Sequence, residues 1–252
     1  MLGTIIHRLE SVASTNDAAR ELVRSGAAHG TVVVADEQTR GRGTKGRTWH
    51  SPPGLGLYAS FILRWDDPEG LGESFALLPL AAGLASAEAV REAAGVKARL
   101  KWPNDLVWGR KKLGGILTEA VLRPGAPGHA VVGVGINVNH GESDFPAGLR
   151  ETATSLRLAS GRPADREVLL RELCRFLDGW YNSLIRGEGE AVVRGCVKRM
   201  AFSRGQRVRV TTARGVTEGV YRGLGPAGRL LLERPGGAAS FSSEEIEAID
   251  WE

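Results

Sequence analysis

An α+β fold is predicted for this chain: a mixed, mostly antiparallel sheet with helices, followed by a small β-barrel. Three observations predict it. Short apolar and β-branched stretches between 97 and 139 lie too close together for helical crossovers, so neighbouring strands there pair antiparallel or mixed. Two long stretches, 74–94 and 163–185, read as helices. From about residue 201 the composition changes to short strands separated by glycine-containing turns. The length of 252 residues suits one large and one small domain, placed at 1–200 and 201–252.

In chain order, Ser14 or Thr15 is placed to cap a helix over 16–24, with Asp17 favourable in its first turn and Gly26 as its stop. Residues 31–36 are β-branched and read as a buried strand. Residues 37–53 form a loop rich in glycine, arginine and proline, and 55–65 form the next strand. Ser74 is placed to cap a long apolar helix that Gly95 closes. Strands 97–102 and 105–108 flank a turn begun by Pro103, and 109–111 connect tightly to a strand over 112–122. Residues 130–139 alternate small and β-branched side chains, as a further strand does. A helical segment at 190–200 follows the amphipathic one at 163–185. In the last segment 206–212, 216–221, 229–233 and 238–241 read as strands.

Hydrophobic residues make up 42% of the chain, enough for a sizeable core. No apolar run reaches the roughly 18–20 residues of a membrane span, and the N-terminus lacks the pattern of a secretion signal. A cytoplasmic protein without membrane association is expected. The two cysteines, Cys174 and Cys196, have no metal-ligand spacing and fall in helical sequence, so they read as buried structural thiols and no metal site is assigned. The net charge of +4 comes from arginines scattered along the chain, which argues against a nucleic-acid stripe and equally suits an enzyme that binds phosphates.

Two stretches carry the chemistry. The first is Lys101-Trp102-Pro103-Asn104-Asp105, followed by Lys112-Leu113-Gly114-Gly115-Ile116. Charges in strand-like, apolar sequence are expensive unless they face a ligand or partner. A turn alone would explain Pro-Asn-Asp, but not the flanking tryptophan and lysine. Glycines inside a strand mark close approach of a ligand or another backbone, so Lys112 is expected to face a site while Lys111 stays solvated.

The second stretch is Gly41-Arg42-Gly43-Thr44-Lys45-Gly46-Arg47-Thr48-Trp49-His50-Ser51-Pro52. It matches the G-x-G-x-x-G dinucleotide fingerprint formally, but the two prolines and the glycine that follow exclude the helix which that fingerprint must open. An anion-binding loop is the better reading. Its glycines let backbone N–H groups approach a phosphate, Arg42, Lys45 and Arg47 add positive charge, and Trp49 offers a flat face. Nothing in these residues fixes an empty conformation, so a mobile loop that closes on its ligand is expected.

Together with Ser14-Thr15-Asn16, Gln38 and the glycine-rich stretch 133–139, these motifs resemble the biotin protein ligases. The resemblance runs in ordered motifs over about 7–140 and more loosely to the C-terminus. One departure matters: Thr44 stands where that family's loop has a second arginine, so one phosphate contact is lost or passes to Lys45.

The resemblance implies a class II synthetase-like catalytic fold with an SH3-like C-terminal barrel. It implies activation of biotin with ATP and Mg²⁺ to biotinyl-AMP, then transfer to a lysine of a biotin carboxyl carrier protein. Catalytic roles fall to Arg42, Lys101, Asp105 and Lys112. Biotin contacts fall to Ser14, Thr15, Asn16, Gln38, Arg42, Gly43, Thr44, Lys112 and Gly115. Nucleotide contacts fall to Arg42, Lys45, Arg47, Trp49, Asn104, Asp105 and Asn137. It also implies dimerisation through the catalytic sheet. Thirteen residues precede Ser14, too few for a helix-turn-helix, so the form without a DNA-binding domain is expected. Two alternatives remain at this point. One is a lipoate or octanoate ligase of the same fold, whose Arg-Arg-x-x-Gly-Gly stretch is absent here. The other is a basic nucleic-acid-binding module in the C-terminal segment.

Overall fold

The computed structural model describes residues 1–65, 72–121 and 128–252. Its first sheet has seven strands: β1 (Ile6–Val12), β2 (Val32–Gln38), β3 (Gly56–Trp65), β4 (Arg99–Lys101), β5 (Asp105–Trp108), β6 (Lys111–Val121) and β7 (Gly128–Asn137). Their order is β1-β2-β3-β7-β6-β5-β4, and only the β1–β2 pair is parallel. The mixed, mostly antiparallel sheet is therefore as predicted. β1 was not foreseen. Only scattered positions along it are shielded, as on an edge strand, so no clean alternation marks it in sequence. The predicted strand end at Leu122 lies outside the described residues.

Helices cover the two faces unequally. On one face lie α2 (Gly72–Ala94), α4 (Arg166–Ile185) and α5 (Gly189–Arg199), and a short α3 (Leu156–Ser160) comes just before α4. Leu84 of α2 and Leu173 of α4 join Phe61, Leu63 and Val132 of the sheet in one large core. α2 begins at Gly72, upstream of Ser74, whose side chain lies outside the described residues. It passes through Pro79, a loss of about 3 kcal/mol that burial of Leu78, Ala81, Leu84 and Ala85 offsets. On the opposite face, among the described residues, α1 (Thr15–Arg24) alone packs, through Ala19 and Val23, against Val33, Ile62 and Val131. α1 sits over β2, β3 and β7, and among the described residues no helix covers the β6-β5-β4 side of that face.

The C-terminal sheet has the order β11-β10-β9-β8-β12 and is antiparallel throughout. It comprises β8 (Arg207–Thr212), β9 (Gly215–Leu224), β10 (Leu230–Arg234), β11 (Gly237–Phe241) and β12 (Ile246–Trp251). The arrangement is SH3-like, but β11 and β12 are the edges of the order and do not pair, so the predicted barrel is left open there. β12 had no forecast, because Glu244, Glu245, Glu247 and Asp250 hide its two buried positions, Ile246 and Ile249. Val208, Val210, Tyr221 and Ile249 belong to the same apolar core as α2, and Trp102 Nε1 donates to the Gly228 carbonyl at 2.9 Å.

Candidate active site

Strand register builds the floor of a site on the uncovered half of the sheet. Directly paired residues share a face, so Tyr58, Gly135, Gly115, Asp105 and Lys101 form one row across β3, β7, β6, β5 and β4. Ser60, Gly133 and Leu117 form the next row. The β5–β6 register shifts between Leu106 and Val107, and this bulge turns Lys112 onto the same face as Asp105.

A cavity of about 490 Å³ stands on these rows. It collects Ser14, Thr15, Asn16, Gln38, Arg42, Gly43, Thr44, Arg47, Trp49, Lys101, Asn104, Asp105, Lys112, Gly115 and Asn137. Among the predicted site residues only Lys45 is missing from its wall. Lys45 takes a left-handed conformation (φ 56°), and its Nζ donates to the Glu244 carbonyl at 3.0 Å. Arg47 likewise donates to the Glu247 carbonyl at 2.7 Å, although it also borders the cavity. The glycine-rich loop is therefore pinned to the C-terminal sheet here, whereas the sequence alone left it without an anchor. Residues 44–46 form only a 3₁₀ turn, consistent with excluding a dinucleotide helix.

The inner end is a hydrogen-bond wire. Thr15 N–H donates to Gln38 Oε1 at 2.9 Å, Gln38 Nε2 to Ser51 Oγ at 2.9 Å, and Ser51 Oγ to the Trp49 carbonyl at 3.1 Å. Ser60 Oγ donates to Asn16 Oδ1 at 2.6 Å. Asn16 Nδ2 donates to the Leu117 carbonyl at 3.3 Å and to Glu119 Oε2 at 2.7 Å. Ser14 occupies the N-cap position of α1, yet its side chain makes no capping bond. The capping role read from the sequence is thus not used, which leaves its hydroxyl beside the cavity.

The glycines clear space for this protein's own side chains. A Cβ on Gly133 would overlap Asn16 Oδ1, and one on Gly135 would lie 2.6 Å from Trp49 Nε1. The Trp49 indole lies over Gly135 and Gly115 and forms part of the cavity wall, which Gly133 and Gly135 also border. The indole Nε1–H is buried and has no hydrogen-bond partner among the described residues.

Five cations, Arg42, Arg47, Lys101, Arg110 and Lys112, also border the cavity. Lys112 Nζ lies 2.6 Å from Asp105 and 5.5 Å from the Trp49 ring centre. Lys101 and Arg110 flank the Trp251 ring at 5.3 and 5.2 Å. Arg42 is held by Asp17 at 2.9 Å and Glu119 at 3.1 Å. Asn104 and Asn137 spend an amide donor on backbone, to the Ile116 and Thr154 carbonyls, so they shape the wall as well as face it. Sequence reading missed Ser60, Glu119, Asp250 and Trp251. A signal existed for two of them: Ser60 interrupts an apolar strand, and Glu119 alternates in phase with Gly115 and Leu117.

Beside the cavity, His140 is fully buried, stacked on Phe145 at 4.9 Å, and neither ring nitrogen has a partner among the described residues. Burial, with a smaller push from His50, lowers its pKa to about 4. The folded state thus holds the neutral ring, while the unfolded chain takes a proton near the ordinary 6.5. Stability is expected to fall as pH drops from about 6.5 to about 4, by at most roughly 3 kcal/mol from this group. Urea unfolding at pH 7 and pH 5 measures it, and the pH dependence should shrink in His140→Phe.

Comparison with known proteins places this geometry. The model of the biotin/lipoate A/B protein ligase family matches residues 9–137. The bifunctional ligase/repressor BirA of Bacillus subtilis (strain 168) is 36% identical over 236 residues, covering 94% of this chain and 71% of that protein. The biotin--[acetyl-CoA-carboxylase] ligase of Paracoccus denitrificans is 32% identical over 238 residues, 92% of this chain and 96% of that one. The biotin protein ligase from Aquifex aeolicus, solved in complex with biotin and ATP, superposes with a TM-score of 0.85 at 30% identity, covering 99% of this chain and 100% of that chain.

Proposed function

The chain belongs to the biotin/lipoate A/B protein ligase family, and on that premise we propose how its cavity works as a biotin protein ligase. It activates biotin with ATP and passes the biotinyl group to a lysine of a biotin carboxyl carrier protein. The observation that carries this reading is the gathering of the α1 polar residues, the glycine-rich loop, Asp105 and Lys112 around one cavity.

A carboxylate is a poor acyl donor, because its leaving group would be oxide. In the first step its oxygen attacks the α-phosphorus of ATP, pyrophosphate leaves, and a mixed anhydride forms. Two anions must be brought together, and Lys112, Lys101 and Arg42 supply the compensating charge. Arg42 carries five N–H donors, and its bonds to Asp17 and Glu119 leave donors over for a ligand anion. In the second step the acceptor amine attacks the anhydride carbonyl, AMP leaves, and an amide forms. No enzyme nucleophile is needed. Cys174 and Cys196 are buried and do not border the cavity, and burial raises the Cys174 thiol to about 11.

Asn16 enters the ring site as an acceptor: both Nδ2 hydrogens are engaged, and Oδ1 keeps a lone pair for a ureido N–H. The nucleotide is assigned to Arg42, Arg47, Trp49, Asn104, Asp105 and Asn137 of the cavity wall. Asp105 and Asp250 border the cavity, and no cluster of three or more His, Cys, Asp or Glu suited to a resident metal exists among the described residues. That donor set fits Mg²⁺ arriving on the phosphates of ATP, where it supplies charge neutralisation. The pinned loop excludes water from the adenylate.

The same proposal divides the chain at 1–200 and 201–252, sets it in the cytoplasm and includes a homodimer through the catalytic sheet. Among the described residues no helix is long and apolar enough to cross a membrane. Against a nucleic-acid role, Arg209 and Arg222 of the C-terminal sheet, and Arg229 just before β10, each pair with a glutamate.

Exchange of labelled pyrophosphate into ATP tests the activity. It is expected with biotin and Mg²⁺ and to be small with lipoate or octanoate. Equal exchange with lipoate, or none with biotin, overturns the reading.

A further inference from the structure

We infer that Glu119 is a positioning residue for biotin recognition, acting through the amide of Asn16. This goes one layer behind the ring site proposed above and rests on Asn16 belonging to it. Glu119 stands on β6 on the cavity face, one alternate position beyond Leu117. Its Oε2 accepts from Asn16 Nδ2 at 2.7 Å.

A carboxamide can be turned end for end with almost no change of shape, so only its partners decide which end faces where. Glu119 and the Leu117 carbonyl are pure acceptors and both lie at the Nδ2 end. Ser60 can donate or accept and lies at the Oδ1 end. The acceptor-only character of the Glu119 carboxylate, with that of the carbonyl, therefore sets the direction of the amide. Reversing it would present a donor to the N–H groups of a ureido ring, a repulsive pairing.

The carboxylate is itself held in place. Arg42 donates to it at 3.1 and 3.2 Å, and Arg20 lies 3.7 Å away. Asp17 pairs with the same two arginines, at 2.5 Å to Arg20 and 2.9 Å to Arg42. Two acids and two arginines thus form a closed, neutral cluster behind Asn16, linking the ring site to the glycine-rich loop. Asp17 continues to hold Arg42 when Glu119 loses its charge.

The test is steady-state pyrophosphate exchange on Glu119→Gln, Asn16→Ala and the double variant. Glutamine offers an N–H₂ in place of the carboxylate and lets the Asn16 amide reverse. Glu119→Gln is expected to raise the KM for biotin roughly tenfold, the scale of one charge-assisted hydrogen bond. The KM for ATP and kcat should stay within about threefold. Added to Asn16→Ala, it should raise the biotin KM by less than about twofold, because its route of action is gone. An unchanged biotin KM, a parallel rise for ATP, or an additive effect in the double variant overturns the inference. If Asn16→Ala itself leaves biotin binding intact, the ring-site reading falls and this inference with it. Thermal unfolding accompanies each variant. Should Glu119→Gln fail to fold, Glu119→Asp keeps the charge beside the arginines but draws the acceptor back from Asn16, and the same split between biotin and ATP is expected, smaller in size.

Discussion

Replacing Lys112 by alanine is expected to lower pyrophosphate exchange about 100- to 1,000-fold while moving the thermal midpoint by no more than a few degrees. The ammonium is 38% exposed, so its removal takes little packing with it. Its value lies in charge. It is paired with Asp105 at 2.6 Å on the cavity face, where the proposed reaction brings an anionic carboxylate to an anionic phosphate. Loss of a charge-assisted contact made in the transition state is on the order of 2.7–4 kcal/mol, which sets the range. The structure adds a second effect. Without Lys112, Asp105 is left unpaired and repels both substrates, so Lys112→Ala should be worse than the loss of one contact implies. Lys111 is the internal control. Its Nζ reaches the exposed Arg150 carbonyl at 3.1 Å and does not border the cavity, so Lys111→Ala should be nearly silent. A crippled Lys111→Ala with an active Lys112→Ala would show that the bulge between Leu106 and Val107 is misplaced by one residue.

Gly133→Ala is expected to weaken biotin binding by on the order of 100-fold. The new methyl would overlap Asn16 Oδ1 and come within 3.0 Å of its Cγ. Asn16 has nowhere to go at low cost, since Ser60, Leu117 and Glu119 hold both ends of its amide. Displacing two of these bonds, at about 1–1.5 kcal/mol each, gives the stated factor. Crowding the sheet should also lower stability by about 1–3 kcal/mol. Gly179→Ala, on α4 with nothing within 4 Å of its added methyl, is the matched control and should leave biotin affinity unchanged. Calorimetric titration of biotin into both variants decides the matter. Wild-type affinity in Gly133→Ala would mean that Asn16 is not fixed as described.

The elements written in local pattern were legible without coordinates. The α1 helix, the strands β2, β3, β5, β6 and β7, and the helices α2, α4 and α5 fall close to where periodicity and turn residues put them. The site motifs were legible too, because glycines, paired cations and Asn-Asp in apolar surroundings have few other uses. What escaped was of two kinds. β1 and β12 bury few residues and carry charge, so their strand character comes from the neighbours they pair with rather than from their own pattern. Ser60, Glu119 and Trp251 are ordinary residues singly, and become part of the site only through partners far away in sequence.

The sequence by itself therefore determined the fold class, the order of the motifs and the chemical kinds of group available to the site. The tertiary structure alone decided that α1 covers only part of one sheet face, that a bulge turns Lys112 onto that face, and that Gly133 and Gly135 admit Asn16 and Trp49. It alone sent Lys45 and Arg47 to the carbonyls of Glu244 and Glu247. The physical reason is plain in that last case. Every residue has a backbone carbonyl, so no side chain marks which one will be met; only the tertiary arrangement brings those two within reach of the loop.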